Sequence, residues 1–347
     1  MAKKTLDELE ALALKVFLNS NVSENNAAFV ARALVQAEAD GVPSHGLSRV
    51  PSYADQAKSG KVDGHAIARL EQTATASLRV DAAGGFAYPA IALGMGRARQ
   101  LAKETGIVGL AIGNSHHGGV GGHPVEAAAR DGLVALGFLN APAAIAPWGG
   151  TRALYGTNPI AFASPKPLPD GSGWDDPVLV DLALSKVARG KIMMAANRGE
   201  PIPEGWCTDK HGNPTTDAKE ALDGGLMLPM GDARGAALVL AVEILAATVT
   251  GSNHGFEASS FFTAEGAPPL VGQFFILIDP SAFAHEDEET ADSRFIERIG
   301  TLIGAIRDQE GAQLPGNDRW ANRAKANAEG VNVPDNLLAD LEARAAG

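Results

Sequence analysis

One segment constrains the fold of this chain more than any other. Asn114-Ser115-His116-His117-Gly118-Gly119-Val120-Gly121-Gly122-His123-Pro124 follows a short apolar run and precedes a helical pattern. Glycines let a backbone approach an anion closely, and the N–H groups at a helix start favour negative charge. Yet G-x-G-x-x-G occurs neither here nor anywhere else in the 347 residues, and no P-loop or H-E-x-x-H motif is present. The usual dinucleotide turn is thus absent, and a parallel doubly wound sheet is not the expected frame. By composition alone the segment reads equally as a phosphate cradle or as a flexible strand–helix connection.

The rest of the chain supplies both helices and strands. Thr5-Leu6-Asp7-Glu8 has the form of a capping box, and Leu6, Leu9, Leu12, Ala13, Val16 and Phe17 follow at helical spacing. A second helix is predicted over Ser23–Asp40, stopped by Gly41. Ala76–Ala82, Ile107–Gly113, Leu133–Asn140, Pro159–Ser164, Val178–Leu182 and Gln273–Asp279 read as strands. Pro89–Thr105, Pro124–Asp131 and Arg234–Thr250 read as helices, and a charged helical stretch begins at Ser293. Pro167–Asp176 reads as an exposed insertion.

Lys plus Arg total 29 against 41 Asp plus Glu, a balance of −12, which argues against nucleic acid and anionic membranes as partners. One local arginine can still hold a small anion. The single cysteine, Cys207, permits no intrachain disulfide. Met-Ala-Lys-Lys-Thr leads into a helix and lacks the features of a secretory signal, so a cytoplasmic protein is expected.

Two further constellations suggest chemistry. Ser44-His45-Gly46-Leu47-Ser48-Arg49, with Tyr53 beyond, joins an imidazole able to trade a proton to a hydroxyl that can hold its ring. Arg49, one helical turn on, could fork onto a carboxylate. Alone, the Ser-His pair reads more simply as a helix cap with a surface ring. Trp148-Gly149-Gly150-Thr151 leading to Gly156-Thr157-Asn158-Pro159 is loop chemistry before a strand. His116, His117 and His123 invite a metal reading, but the spacing supplies no clear ligand set, and no metal is expected.

Taken in order, these motifs become specific. Ser44-His45-Gly46-x-x-Arg49, His117-Gly118, Ala146-Pro147-Trp148-Gly149-Gly150, Gly156-Thr157-Asn158-Pro159-Ile160-Ala161-Phe162, Asp181-Leu182-Ala183, Gly190-Lys191, Gly205-Trp206, Pro214-Thr215-Thr216-Asp217 and Leu228-Pro229-Met230-Gly231 together resemble the malate/L-lactate dehydrogenase-like family over nearly the whole chain. That family includes malate, lactate, sulfolactate and ureidoglycolate dehydrogenases and Δ1-piperideine-2-carboxylate/Δ1-pyrroline-2-carboxylate reductases. The resemblance implies an α/β (α+β), non-Rossmann NAD(P)-binding fold with a largely antiparallel central sheet, and a homodimer. It implies three lobes: 1–70 with 290–347, helical; 71–115 with 175–289, binding the cofactor; and 116–174, carrying the glycine and substrate loops. It also implies hydride transfer at a carbon next to a carboxylate. His45 would protonate the product, Ser44 would orient His45, and Arg49 and Thr157 would grip the substrate. Cofactor contacts would come from His117, Gly118, Gly119, Val120 and Gly121; from Asp181, Leu182 and Ala183; from Gly231, Asp232 and Ala233; and from Pro315, Gly316, Asn317, Asp318, Arg319, Trp320 and Ala321.

In the ureidoglycolate branch the histidine matching His117 is the acid/base, so two histidines compete for one role, and His45 is favoured because Ser44 and Arg49 flank it. Arg319 is the candidate for the extra phosphate of NADP, making NADPH the preferred cofactor with NAD as the alternative. Ser115-His116-His117, Phe256-Glu257 and Gly272-Gln273 look like the cyclic-imine reductases. Lys191 departs from them, since they can carry an aspartate there, and Asp232-Ala233-Arg234 departs from the family's usual Gly then Lys. The first expectation is therefore NADPH-dependent reduction of a cyclic imino acid to the L-amino acid. The alternatives are a 2-hydroxy acid dehydrogenase and, in another class, a non-catalytic ligand-binding protein on the same scaffold.

Overall fold

Thr5 begins the first helix as its sequence predicts: its hydroxyl accepts the Glu8 N–H while Glu8 returns a carboxylate to the Thr5 N–H. The structure is a computed structural model that describes residues 1–168, 172–284 and 291–347. In chain order it runs β1 (Ala2–Lys4), α1 (Leu6–Leu18), α2 (Glu24–Ala39), α3 (Val50–Ser59), β2 (Arg69–Ala74), β3 (Ser77–Asp81), α4 (Ala87–Thr105), β4 (Ile107–Ser115), α5 (Gly122–Arg130) and β5 (Val134–Leu139). Next come β6 (Ile160–Pro167), β7 (Trp174–Leu182), α6 (Arg189–Arg198), β8 (Cys207–Thr208), β9 (Pro214–Thr215), α7 (Ala218–Leu222) and α8 (Asp232–Glu243). The chain closes with β10 (Val271–Ile278), α9 (Ala291–Arg307), α10 (Asn317–Glu329), β11 (Val331–Val333) and α11 (Asp335–Ala346).

The central sheet has the order β2-β3-β4-β10-β5-β6-β7. Its pairs are antiparallel except β3 with β4. This is the non-Rossmann, largely antiparallel sheet that the family resemblance implies. α4 and α5 cover it through Ala90, Met95, Leu101, Val125 and Ala129, which pack on Val108, Leu110, Ala135, Ala161 and Phe275. A second core joins the two chain ends: Leu9, Phe17, Leu34 and Tyr53 pack with Val333, Leu338 and Leu341. β1 pairs antiparallel with β11, Ala2 facing Val333. A third core, around Ile145, Leu184, Ile192, Cys207, Val239 and Val242, holds the segment between β7 and β10 together with α8.

Two sequence expectations change. Pro167–Asp176 is not wholly an insertion, because Trp174, Asp175 and Asp176 already belong to β7 and pair with β6. The Lys166–Asp175 ion pair at 2.9 Å fixes that register, and Pro169, Asp170 and Gly171 lie outside the described residues. The helix predicted over Arg234–Thr250 starts earlier, at Asp232, and its last part, Ile244–Thr248, is a π-turn. There Thr250 Oγ1 bonds back to the Ala246 and Ala247 carbonyls, a competition that loosens regular helical spacing. Among the described residues no helix is long and apolar enough to cross a membrane.

Candidate active site

His45 ends a short 3-10 turn, Pro43–His45, and Arg49 ends the next, Leu47–Arg49, which runs into α3. The two tight turns bring Ser44, His45 and Arg49 to one side. Ser44 Oγ lies 3.0 Å from His45 Nδ1, and Arg49 Nε donates to the Ser44 carbonyl at 2.7 Å. Arg49 is 9% exposed, and its Nη1 is buried without a hydrogen-bond partner. A buried guanidinium donor left free is costly unless an anion completes it. The Phe262 ring covers the guanidinium, 4.2 Å from ring centre to Cζ, a cation–π contact that fixes the plane of the fork.

The glycine loop brings the second histidine to the same place. The His45 and His117 rings lie 5.2 Å apart, and Tyr53 Oη, from α3, lies 2.5 Å from His117 Nδ1. Phe261 packs on His117 at 4.8 Å. The three histidines of the segment separate. His116 is buried, with Nε2 2.9 Å from Gln56 Oε1, and His123 Nε2 meets Asp40 at 3.0 Å. Each therefore has its own partner, and among the described residues no three His, Cys, Asp or Glu side chains converge as a metal site.

The local field keeps all three inner rings neutral. Burial, then the Arg49 charge, bring His45 down to about 4. Burial, then Lys61 and Arg49, bring His116 down to about 3, and His117 is held well below the ordinary histidine value for the same chief reason. Stability follows with a definite sign. Above the ordinary value near 6.5 both folded and unfolded chains carry these rings neutral, so nothing is lost. Below it the unfolded chain takes up protons that the folded chain refuses, at about 1.4 kcal/mol per unit of displacement. Glu38 and Glu243, raised by burial, act in the opposite sense but are fewer. Denaturant unfolding is expected to show a steady loss of stability as pH falls from 6.5 towards 4. A midpoint unchanged over that interval would contradict the buried neutral rings.

Others of the expected cofactor residues gather around Asp181, which with Arg319 is close enough to act on the charge of His45. Gly122 N–H and Arg319 Nη2 both donate to Asp181 Oδ2, at 3.0 and 2.9 Å. Gly119 takes a left-handed φ of 68° with Tyr88 Oη 2.6 Å from where a Cβ would sit, so this position favours glycine, and a Cβ at Gly122 would meet the mobile end of Arg319 at 2.4 Å. Pro315, Gly316, Asn317, Asp318 and Arg319 line a cleft of about 430 Å³ together with Asp40 and Asp181. Arg319 Nη1 is buried there with no partner, an orphaned donor that suits a phosphate oxygen. Arg319 is nevertheless not a free cation, since Asp181 pairs with it and Asp40 lies 3.9 Å away. Trp320 packs on the sheet core, between the Arg130 and Arg323 guanidinium groups. Leu182 and Ala183 adjoin Gly231, Asp232 and Ala233 through the Met230 N–H to Leu184 carbonyl bond. Asp232 takes a left-handed φ of 55° and pairs with Lys186 at 2.8 Å, so the departure from glycine is accommodated.

Thr157 is half-buried in the β5–β6 connection, its carbonyl accepting the Leu184 N–H. Its neighbour Asn158, at φ 39°, is held by the buried Glu243 carboxylate at 2.7 Å. The same carboxylate accepts the Gly255 N–H at 2.7 Å, which ties the Thr157 turn to the loop carrying Phe261 and Phe262. Glu243 sits in an apolar helix and Tyr53 in a short amphipathic one, and sequence reasoning gave neither Glu243 nor the Phe261–Phe262 loop a role.

Residues 5–342 match the malate/L-lactate dehydrogenase family. The chain is 50% identical over 341 residues to a (2R)-3-sulfolactate dehydrogenase (NADP(+)) of Chromohalobacter salexigens, covering 98% of this chain and 97% of that one. It is 38% identical over 339 residues to a Δ1-pyrroline-2-carboxylate/Δ1-piperideine-2-carboxylate reductase of Pseudomonas putida, covering 96% and 94%. A solved Δ1-piperideine-2-carboxylate reductase from Pseudomonas syringae superposes with a TM-score of 0.88 at 35% identity over 99% and 100% of the two chains. With matches spanning almost its entire length, the chain belongs to the malate/L-lactate dehydrogenase family and is an NAD(P)-dependent oxidoreductase.

Proposed function

We propose that the protein interconverts a 2-hydroxy acid and its 2-oxo acid with NADP, and that the acid is a short one bearing a second anionic group, of the sulfolactate kind. The observation that carries this is the buried, partner-free Nη1 of Arg49 beside the Ser44–His45 pair. That geometry suits a carboxylate on the carbon next to the one whose oxygen exchanges a proton with His45. The hydride comes from or goes to the nicotinamide. Ser44 holds one ring nitrogen of His45 and leaves the other for substrate. The second anion has a candidate partner in Lys191. A Cβ on Gly190 would touch Ser44 Cβ at 3.4 Å, so α6 begins against the catalytic pair, and the next residue is an exposed lysine. The 50% identical relative is named for a sulfonated hydroxy acid and for NADP(+), which supports both halves of the reading. Arg319, with an unfilled donor in the cleft, supports NADPH over NADH.

Reduction of a cyclic imino acid is the second reading. It has the same demand for a carboxylate grip, and the structural likeness to the piperideine-2-carboxylate reductase supports it. Cofactor oxidation measured over 3-sulfopyruvate, oxaloacetate, pyruvate and Δ1-piperideine-2-carboxylate, with both nucleotides, separates them. The expected ranking places 3-sulfopyruvate first with NADPH, and places Arg49→Lys about tenfold or more higher in KM because lysine lacks the bidentate fork. A clear preference for the imine would overturn the first reading. The homodimer implied by the family belongs to the same proposal. Leu238, Leu240, Ile244 and Val249 are 43–53% exposed on and just beyond α8, on both flanks of its buried stripe, and a second copy could cover them.

A further inference from the structure

Residues 251–270 contain no helix or strand, and a connection of that length within a compact domain usually serves a function. Its middle is anchored from one place. Lys61, just past the end of α3, is 3% exposed. Its ammonium donates to the carbonyls of Ser260 at 2.7 Å, Thr263 at 2.9 Å and Glu265 at 2.7 Å. Three donors thus meet three acceptors. α3 adds two more ties. Gln56 Nε2 donates to the Phe261 carbonyl at 2.9 Å, and Ser59 Oγ donates to the Ala264 carbonyl at 3.1 Å.

The residues presented by this anchored turn are those that cover the site. Phe261 is 4% exposed and packs on His116 and His117, at 5.4 and 4.8 Å. Phe262 is 41% exposed and lies over the Arg49 guanidinium. A large aromatic ring left that exposed has little packing value of its own, and among the described residues its one specific ring contact is with the arginine. Gln56 also meets His116 through Oε1, so α3 serves the glycine loop and the 260–265 turn together.

We propose that Lys61 is a positioning residue for the substrate: its ammonium clamps the 260–265 turn onto the end of α3, and the clamped turn sets Phe262 over Arg49 as the outer wall of the carboxylate site. The inference rests on the reading that Arg49 holds the substrate carboxylate. Lysine suits the task because a flexible stem carries a compact charge into a cage of carbonyls, where a guanidinium fork would not fit three divergent acceptors. With the wall in place, water is kept from one face of the guanidinium, and its attraction for a carboxylate is strengthened by the lower local dielectric. Without it, the turn drifts and the fork loses its fixed plane.

The test is steady-state reduction of 3-sulfopyruvate with NADPH by the full-length protein, alongside direct NADPH titration, for Lys61→Met, Phe262→Ala and the double variant. Lys61→Met and Phe262→Ala are each expected to raise KM about tenfold, as misplacement of a binding group does, with NADPH affinity and kcat little changed. The double variant is expected to be no worse than Phe262→Ala, because both act through the same wall. Unchanged KM in a folded Lys61→Met protein, or fully additive losses in the double variant, would overturn the proposal. If Lys61→Met does not fold, Phe262→Ala still decides, since an exposed ring can be removed without loss of core, and an unchanged KM there also refutes the wall. Should the wild-type protein not reduce 3-sulfopyruvate, it is the substrate reading that fails. The same variants are then measured with Δ1-piperideine-2-carboxylate, which offers Arg49 the same carboxylate.

Discussion

His45→Ala is expected to lower turnover about 10²–10⁴-fold, the usual cost of losing a positioned acid or base, while NADPH binds as before. The reason is spatial. His45 is bonded to Ser44 beside Arg49, whereas Asp181 and Arg319 of the candidate cofactor set bond to each other and to the helix end of the glycine loop at Gly122. His117 is the informative control, because its ring lies 5.2 Å from that of His45 and is tied to Tyr53. One of its ring nitrogens is thereby occupied, as one of those of His45 is by Ser44. If His117 serves the cofactor loop, His117→Ala weakens nucleotide binding first. Loss of turnover with normal NADPH affinity in His117→Ala, paired with an active His45→Ala, would move the acid/base role to His117.

The second large effect is in the pH dependence, which differs between the two directions of reaction. Before substrate binds, burial and Arg49 hold His45 near 4, so at neutral pH the ring is already a base. Oxidation of the hydroxy acid needs that form. Its kcat/KM is expected to be level from pH 5 to 8. Reduction needs the protonated ring, whose share falls tenfold per pH unit above its pKa, so reductive kcat/KM is expected to fall by about 10³ over the same range. Once the substrate carboxylate sits on Arg49, the repulsion on His45 is relieved, so kcat for reduction should hold out to higher pH than kcat/KM. A reductive kcat/KM that stays flat to pH 7 would show that the proton does not come from His45.

Much of this was readable from the residues, and what was not has physical causes. The capping box at Thr5, the apolar runs of β4, β5 and β10 and the helical spacing of α4 and α5 are local signals, and the structure follows them within a few residues. The absent glycine fingerprint pointed away from a parallel sheet, but it could not reveal that β10 threads between β4 and β5 or that β3 runs parallel to β4. Those pairings join segments far apart in the chain, and no local pattern encodes them. Ser44, His45 and Arg49 could be gathered from spacing because two short turns suffice to converge them. Tyr53 with His117, Glu243 with Asn158 and Lys61 with the 260–265 carbonyls needed the tertiary fold. Lys61 reads in sequence as one more solvated charge. Arg319 was the candidate for the extra phosphate of NADP, and only the fold supplied its Asp181 partner.

The pairing of β1 with β11 has a consequence for how the molecule comes into being. Ala2 faces Val333, and the N-terminal amine meets Asp335 at 2.8 Å. The segment that carries Ser44, His45 and Arg49 therefore cannot bury Leu9, Phe17 and Tyr53 against Leu338 and Leu341 until those two residues have been synthesised. Contacts of such sequence separation close late, because chain entropy must be surrendered before they form. The nascent N-terminal segment through Ser59 accordingly leaves the ribosome with an apolar flank awaiting its complement, the condition in which growing chains most need protection from association. The central sheet, whose strands begin at Arg69 and end at Ile278, can assemble first, so the lobe that carries Ser44, His45 and Arg49 is the last to become native.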